Sequence, residues 1–367
     1  MSNYAKSQGR ESTEKDPKLG AVRCRIDDEE PEADTSKPSA IFQPTGGRSH
    51  TLSVALPGSI IANAKSHDQK TYLAGQIARA LAVFCVDEIV IFDDEDVPSQ
   101  NKRPAIGEND YTAFSHPDHF LAHILSYLET PPHLRKSLFP MHPNLRTAGA
   151  LPSLDMPHHL RANEWCEYRE GVTVTPSPGG NGTLVDVGLP ERRDIPDAEI
   201  AGGTRVTVHL QDPQFKIAKA VSPSAPREIK GYYWGYTVRQ CSSLSNVFTE
   251  CQFDGGYDVS FGTSERGEPV SRVLASPPFS SPDTLDFQHI LVVFGGVAGL
   301  ETAARNDPEL QKMGLTGKNV SKLFDYWVNV LPGQGSRTIR TEEAVWLSLM
   351  TLRELMDRIE KKYKREG

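Results

Sequence analysis

The sequence predicts an α/β protein, a parallel sheet carrying helices and interrupted by a small antiparallel β-barrel. Three observations predict it. A strand, a helix and a second strand follow one another between residues 51 and 92. Short alternating strands crowd residues 166–230. The last third repeats an apolar strand running into a turn rich in Gly, Ser or Thr, with turns at 262–267, 295–299 and 332–336.

A chain of 367 residues can hold two cores, and its 27 Pro and 29 Gly imply many loops. The longest apolar runs, such as residues 290–294, are far too short to cross a bilayer. The N-terminus is polar, with no apolar run before a cleavage site, so an intracellular protein without a membrane partner is expected. Cys24, Cys85, Cys166, Cys241 and Cys251 are odd in number, widely spaced and without a C-x-x-C. That pattern argues against a disulfide framework and against structural zinc. The net charge of −8 does not advertise a nucleic-acid binder. Part of it is local, because residues 93–110 carry six carboxylates against Lys102 and Arg103. Charge alone therefore leaves RNA binding open.

Residues 1–48 are polar, mixed in charge and aperiodic, as a disordered tail would be. Residues 51–57 alternate and stop at Pro57-Gly58, which reads as a strand. Residues 69–84 place Leu73, Ile77, Ala80, Leu81 and Phe84 on one helical face. Residues 88–92 form a second strand, and this β-α-β order implies a parallel pair. A polar loop over 97–115 precedes a helix at 118–129 with Phe120, His123, Ile124 and Leu128 on one face. Of His116, His119 and His123, the last two lie four apart, as on a helix face, but His116-Pro117 precedes the helix and no acidic partner stands at a zinc-enzyme distance, so no metal is expected. Residues 131–165, rich in Pro and His with Arg135, Lys136, Arg146 and Arg161 between them, read as a linker with a basic surface.

From about residue 166 the period changes to that of short strands, at 171–175, 183–188 and 204–210, with a hairpin turn at 178–182. Their spacing suggests the barrel, and α/β segments on both sides make it an insertion. Residues 232–239 read as a strand with an aromatic cluster, better explained by core packing than by base stacking. A short helix at 244–251, strands at 258–261 and 289–294, a Pro/Ser-rich loop at 268–287, a helix to about 305 and a loop at 306–321 follow. A last strand at 323–331 meets Pro332-Gly333-Gln334-Gly335, which cannot extend it. Thr341 is a plausible N-cap for a final helix, with Glu342 and Glu343 in its first turn. Val345, Leu349, Leu352, Met356, Ile359 and Tyr363 make its apolar stripe.

In a parallel sheet the three turns share one edge, where main-chain groups are free to hold a nucleotide-like ligand. There is no G-x-x-x-x-G-K-[ST], hence no phosphate cradle. Phe294-Gly295-Gly296-x-x-Gly299 only loosely matches a dinucleotide turn and lacks the ribose carboxylate at the expected distance. An adenosine without phosphates fits better, and S-adenosylmethionine is one.

Gly262-Thr263-Ser264-Glu265-Arg266-Gly267, Phe294-Gly295-Gly296 with Gly299-Leu300-Glu301, and residues 331–344 resemble the cofactor motifs of the SPOUT methyltransferases. Residues 52–59 and 71–79 are similar to the amino-terminal signature of its eukaryotic and archaeal RNA methyltransferase branch, which includes a vertebrate centromere- and spindle-associated member. The resemblance spans about residues 49–357. It implies a Rossmann-like parallel sheet ending in a trefoil knot, divided as 1–48 tail, 49–160 and 232–367 knotted domain, and 161–231 an inserted oligonucleotide-binding-like (OB-like) barrel. It implies a homodimer, for which the final apolar stripe is a candidate contact that packing on the sheet explains equally well, and a nuclear or nucleolar location, with the cytoplasm as the alternative. Ribosomal RNA becomes the expected substrate, on a base such as uridine N3, with spindle or centromere association a further implied partner.

The resemblance assigns the cofactor to Thr263, Ser264, Arg266, Gly295, Gly296, Gly299, Asn329, Leu331, Gly333, Gln334, Gly335, Ser336, Thr338 and Ile339. Methyl transfer from a sulfonium needs alignment more than a covalent nucleophile. Glu265 could accept a proton, and Arg266 or Arg337 could stabilise the developing anion; equally, both arginines could serve to order their loops. Two rivals stand beside the enzyme: an RNA-binding or spindle-interaction protein that keeps the fold without turnover, and a dinucleotide oxidoreductase.

Overall fold

The computed structural model describes residues 44, 46–176, 182–212, 216–281 and 284–366, without side chains at 175–176 and 363–366. Most of the expected tail, most of the 178–182 turn and the side chain of Tyr363 lie outside the described residues. The strands are β1 Thr51–Pro57, β2 Glu88–Phe92, β3 Tyr168–Pro176, β4 Thr183–Asp186, β5 Arg193–Ile195, β6 Arg205–His209, β7 Lys219–Val221, β8 Thr237–Cys241, β9 Val259–Pro269, β10 His289–Val293 and β11 Tyr326–Asn329.

Six of them form a parallel sheet in the order β11-β9-β10-β1-β2-β8. β1 and β2 are buried at every position, as strands covered by helices on both faces must be. On one face the helices His67–Val83, Pro117–Glu129 and Thr341–Glu366 share a core with Leu52, Val54, Ile89 and Val292. On the other, Leu244, Leu300, Ala304 and Leu310 cover Ala55, Val90 and Val293. The helix His67–Val83 opens with a capping box, Ser66 accepting from Gln69 N while the Gln69 side chain reaches back to the cap. No helix among the described residues is long and apolar enough to cross a membrane.

The second sheet is antiparallel, in the order β5-β4-β3-β6-β7. Its two edges meet: Asp194 N donates to Lys216 O at 2.7 Å and Ala218 N to Asp194 O at 2.8 Å, curling the sheet on itself. Val185, Val187, Ile195, Val208 and Leu210 fill the interior. In sequence it lies between β2 and β8, which are neighbours in the parallel sheet.

Several expectations are corrected. Residues 232–239 are not one strand: β8 begins at Thr237, because Gly235 (φ 90°) breaks the run. The aromatic cluster does pack in the core, Tyr233 donating to Val86 O at 3.0 Å and Tyr236 to Leu125 O at 3.0 Å. The linker at 131–165 contains a helix, Pro132–Leu138, and Arg135 turns inward to bond Thr130 O and Leu128 O, the carbonyls that end the preceding helix. Short helices also interrupt the loops expected at 97–115, 268–287 and 306–321. The last strand is only Tyr326–Asn329, preceded by a 3-10 turn at Val320–Leu323. Of the two readings of the final stripe, packing on the sheet holds, since Val345, Leu349, Leu352 and Ile359 are buried in the intramolecular core.

Candidate functional site

Because the strands run the same way, the chain leaves β9, β10 and β11 at one edge of the sheet, and each exit is built differently. β11 pairs Trp327 with Gly262 and then Val328 with Glu268, so residues 263–267 leave the ladder as one excursion. A Cβ on Gly262 would stand 2.7 Å from Trp327 Cε3, so only glycine admits the indole there. Thr263 donates its hydroxyl to Val293 O at 3.0 Å, tying the excursion to β10.

The β10 exit is a tight turn, Gly299 N donating to Gly296 O at 3.0 Å, and it starts the helix Gly299–Asn306. A Cβ on Gly295 would lie 2.6 Å from Leu300 N. Beneath Gly296, Ser59 donates its hydroxyl to Asp94 Oδ2 at 2.6 Å, and Asn306 Nδ2 donates to Asp94 O at 2.8 Å. Burial pushes the Asp94 carboxyl up from its ordinary value, against the lowering effect of the Ser59 bonds.

The β11 exit reaches the final helix, Thr341–Glu366. Thr341 is its first residue rather than its cap, and the Thr341 hydroxyl donates to Gly295 O at 3.1 Å. Glu343 instead reaches back to Arg340 N at 2.9 Å. Asn329 joins the outer loops, donating to Glu265 O at 2.8 Å and accepting from Leu331 N at 3.0 Å. Asn329→Ala is therefore expected to loosen both loops, weakening ligand binding by roughly tenfold with little change in melting temperature; calorimetry and a thermal melt check it.

The three exits enclose a cavity of about 520 Å³. Thr263, Ser264, Glu265 and Arg266 form one wall, and Gly295, Gly296 and Gly299 a second. Asn329, Gln334, Thr338 and Ile339 form the third. The expected residues Leu331, Gly333, Gly335, Ser336 and Arg337 are exposed and do not line it. Asn63 and Val330 line it from outside the stretches that resemble cofactor motifs, while Glu301, Arg340 and Ala344 lie inside those stretches but were not among the residues assigned to the cofactor. Asn63 ends the 3-10 turn Gly58–Asn63 that follows the Pro57-Gly58 stop, so that stop was the available signal. Charge in the cavity is balanced, Arg266 and Arg340 against Glu265 and Glu301. Arg266 approaches Glu301 at 3.6 Å, but Arg266 is 75% exposed, so the pair contributes little stability.

No group of three or more His, Cys, Asp or Glu side chains gathers as metal ligands among the described residues. His119 Nδ1 instead bonds Thr112 Oγ1 at 3.0 Å, and burial pushes the His123 imidazole down to about 4.

A family model described as "Putative RNA methyltransferase" matches residues 51–352. A protein of Homo sapiens named 28S rRNA (uridine-N(3))-methyltransferase is 47% identical over 339 residues, covering 90% of this chain and 85% of its own. Its namesake in Mus musculus is 48% identical over 315 residues, covering 83% and 77%. That of Drosophila melanogaster is 44% identical over 314 residues, covering 83% and 62%.

Proposed function

The chain belongs to the RNA methyltransferase family whose model spans residues 51–352, and from that premise we propose an S-adenosylmethionine-dependent enzyme that methylates N3 of a uridine in large-subunit ribosomal RNA. The observation that carries this reading is the meeting of the three exits in one cavity. Its size lies in the ordinary range for small-molecule sites. Glycines whose Cβ atoms would collide with their surroundings bring bare main chain to the wall, which suits an adenosine. The balanced side chains suit a ligand carrying both a carboxylate and cationic centres, and they suit a dinucleotide's diphosphate poorly.

Gly295, Gly296 and Ile339 would hold the nucleoside by main chain, with Thr263, Ser264, Gly299, Asn329, Gln334 and Thr338 around it. When bound, S-adenosylmethionine supplies an activated methyl group, so no covalent nucleophile is asked of the protein. Glu265, exposed at the rim, accepts the proton that uridine N3 must lose. Arg266 beside it stabilises the resulting anion. Arg337 lies outside the lining and keeps a loop-ordering role.

The hydrogen bond from Thr341 to Gly295 O supports a knotted end, since it sets the start of the last helix against the β10 turn. The OB-like identity of residues 161–231, homodimerisation, a nuclear or nucleolar site and spindle association rest on the superfamily resemblance. A dimer would use a surface other than the buried stripe of the final helix.

Titration with S-adenosylhomocysteine and with NAD should show binding of the first only. Nucleosides of ribosomal RNA from cells lacking the protein should lose 3-methyluridine, restored by the wild type and not by Glu265→Gln with Arg266→Ala. NAD binding, or unchanged 3-methyluridine, would overturn the reading.

A further inference from the structure

The cofactor cavity shares a wall with a larger hollow of about 860 Å³. Arg266 and Glu301 line both, so their ion pair stands between the two. On the far side lie Arg305, on the helix Gly299–Asn306, and Lys318, in the turn that Thr316 and Asn319 close by a 2.6 Å bond from Thr316 N to Asn319 Oδ1. Trp327 of β11 also lines it. Its indole rests on Phe324, with centroids 5.6 Å apart and planes at 32°, in the space that the absent side chain of Gly262 leaves.

The charge here runs against that of the whole molecule. Three cations, Arg266, Arg305 and Lys318, face one carboxylate, on a chain whose net charge is −8. Arg305 and Lys318 are exposed, and among the described residues neither forms an ion pair with a carboxylate. A polyanion repelled by most of this surface would be drawn to a local cationic cleft. A cleft that adds an indole beside its cations has the two elements by which single-stranded nucleic acid is held, backbone charge contacts and base stacking.

We propose that this second cavity seats the RNA strand. Arg305 and Lys318 take phosphates next to the target nucleotide, Trp327 stacks a base, and the Arg266–Glu301 pair is the sill across which the uridine reaches the methyl donor. The proposal rests on the methyltransferase reading. It extends that reading by assigning substrate contacts to residues outside the cofactor cavity.

The test uses the full-length protein, a single-stranded oligoribonucleotide containing the target uridine, and anisotropy over a range of salt. Arg305→Ala with Lys318→Ala should weaken RNA binding roughly tenfold or more and flatten the log–log salt slope by about 1.4, two single-strand phosphate contacts' worth. In turnover the same pair should raise KM for RNA with kcat near the wild-type value. Trp327→Leu should cost roughly tenfold in affinity, and Trp327→Phe should restore most of it. Lys102→Ala with Lys361→Ala, removing equal charge elsewhere, should cost less. An unchanged affinity and slope in the Arg305/Lys318 variant, or an equal loss in the Lys102/Lys361 variant, would overturn the proposal; so would competition by polyglutamate as effective as that by RNA. Wild-type protein that bound no S-adenosylhomocysteine would instead overturn the underlying reading, whereas failure of the cleft variants alone, with that binding intact, counts only against the cleft.

Discussion

Gly295→Val is expected to abolish cofactor binding, with affinity for S-adenosylhomocysteine falling by at least ~100-fold, or about 3 kcal/mol. The added Cβ would stand 2.6 Å from Leu300 N and 2.7 Å from the Gly299 carbonyl carbon. Both are backbone atoms, so no rotamer change relieves the contact, and the turn must swing off the helix Gly299–Asn306. That movement deforms two walls at once, because Gly295 O also accepts from the Thr341 hydroxyl. Gly149→Val is the matched control, as nothing lies within 4 Å of a Cβ there. Calorimetry on both variants, with circular dichroism to show that they fold, decides the matter. Wild-type affinity in Gly295→Val would mean that the cavity is not the cofactor site.

Arg205→Ala should be the most destabilising single change at the junction between the two sheets. Arg205 donates two bonds to Glu129, at 2.5 and 3.0 Å, and one to Glu170 at 2.7 Å. Glu170 also accepts from Thr207 at 2.6 Å and Trp234 at 2.8 Å, and Glu129 meets His158 at 2.9 Å. Both carboxylates are nearly fully buried, so removing the cation strands them at a cost of about 3 kcal/mol or more. Burial alone would raise the Glu129 carboxyl, but Arg205 and then His158 outweigh it and hold Glu129 well below the usual carboxylate range. In the wild type that contribution is present above the ordinary carboxylate pKa and is lost as pH falls through the depressed folded value. Without Arg205 the largest influence lowering the Glu129 carboxyl is gone and only His158 is left against burial, so the folded variant binds its proton more readily than the folded wild type does. The variant's deficit should therefore shrink as pH falls below neutral. Urea denaturation at several pH values measures this, and a deficit that grew toward acid would contradict it.

What could be read from the residues differs between elements for physical reasons. β2 was legible to the residue, because a short apolar run between a helix end and an acidic loop has few other places to go. The three exits were legible as glycine-rich interruptions of apolar strands, and the cavity does collect them. β5 and β7, three residues each, carry too little alternation to stand out. The rejoining of β9 to its ladder at Glu268 was hidden, since it depends on β11, a strand that arrives almost 60 residues later. Arg135 looks like surface charge by type, yet it caps the carbonyls of Thr130 and Leu128, a local contact that needs the unpredicted helix Pro132–Leu138 to turn it back. Arg340 and Ala344 lay inside a cofactor-like stretch but were not assigned to the ligand, because the start of the final helix was read for its N-cap and apolar stripe.

The central position of β1 has a consequence for synthesis. One neighbour, β2, follows within the same supersecondary unit, but the other, β10, begins 238 positions after Thr51. At ~5–20 residues per second the ribosome needs on the order of 10–50 s to deliver it. During that interval Leu52, Val54 and Leu56 belong to a strand with one open edge, an invitation to mispairing. Nascent chains arrested before residue 289 should therefore be held by chaperones or aggregate, and release should come only once β10 has cleared the exit tunnel.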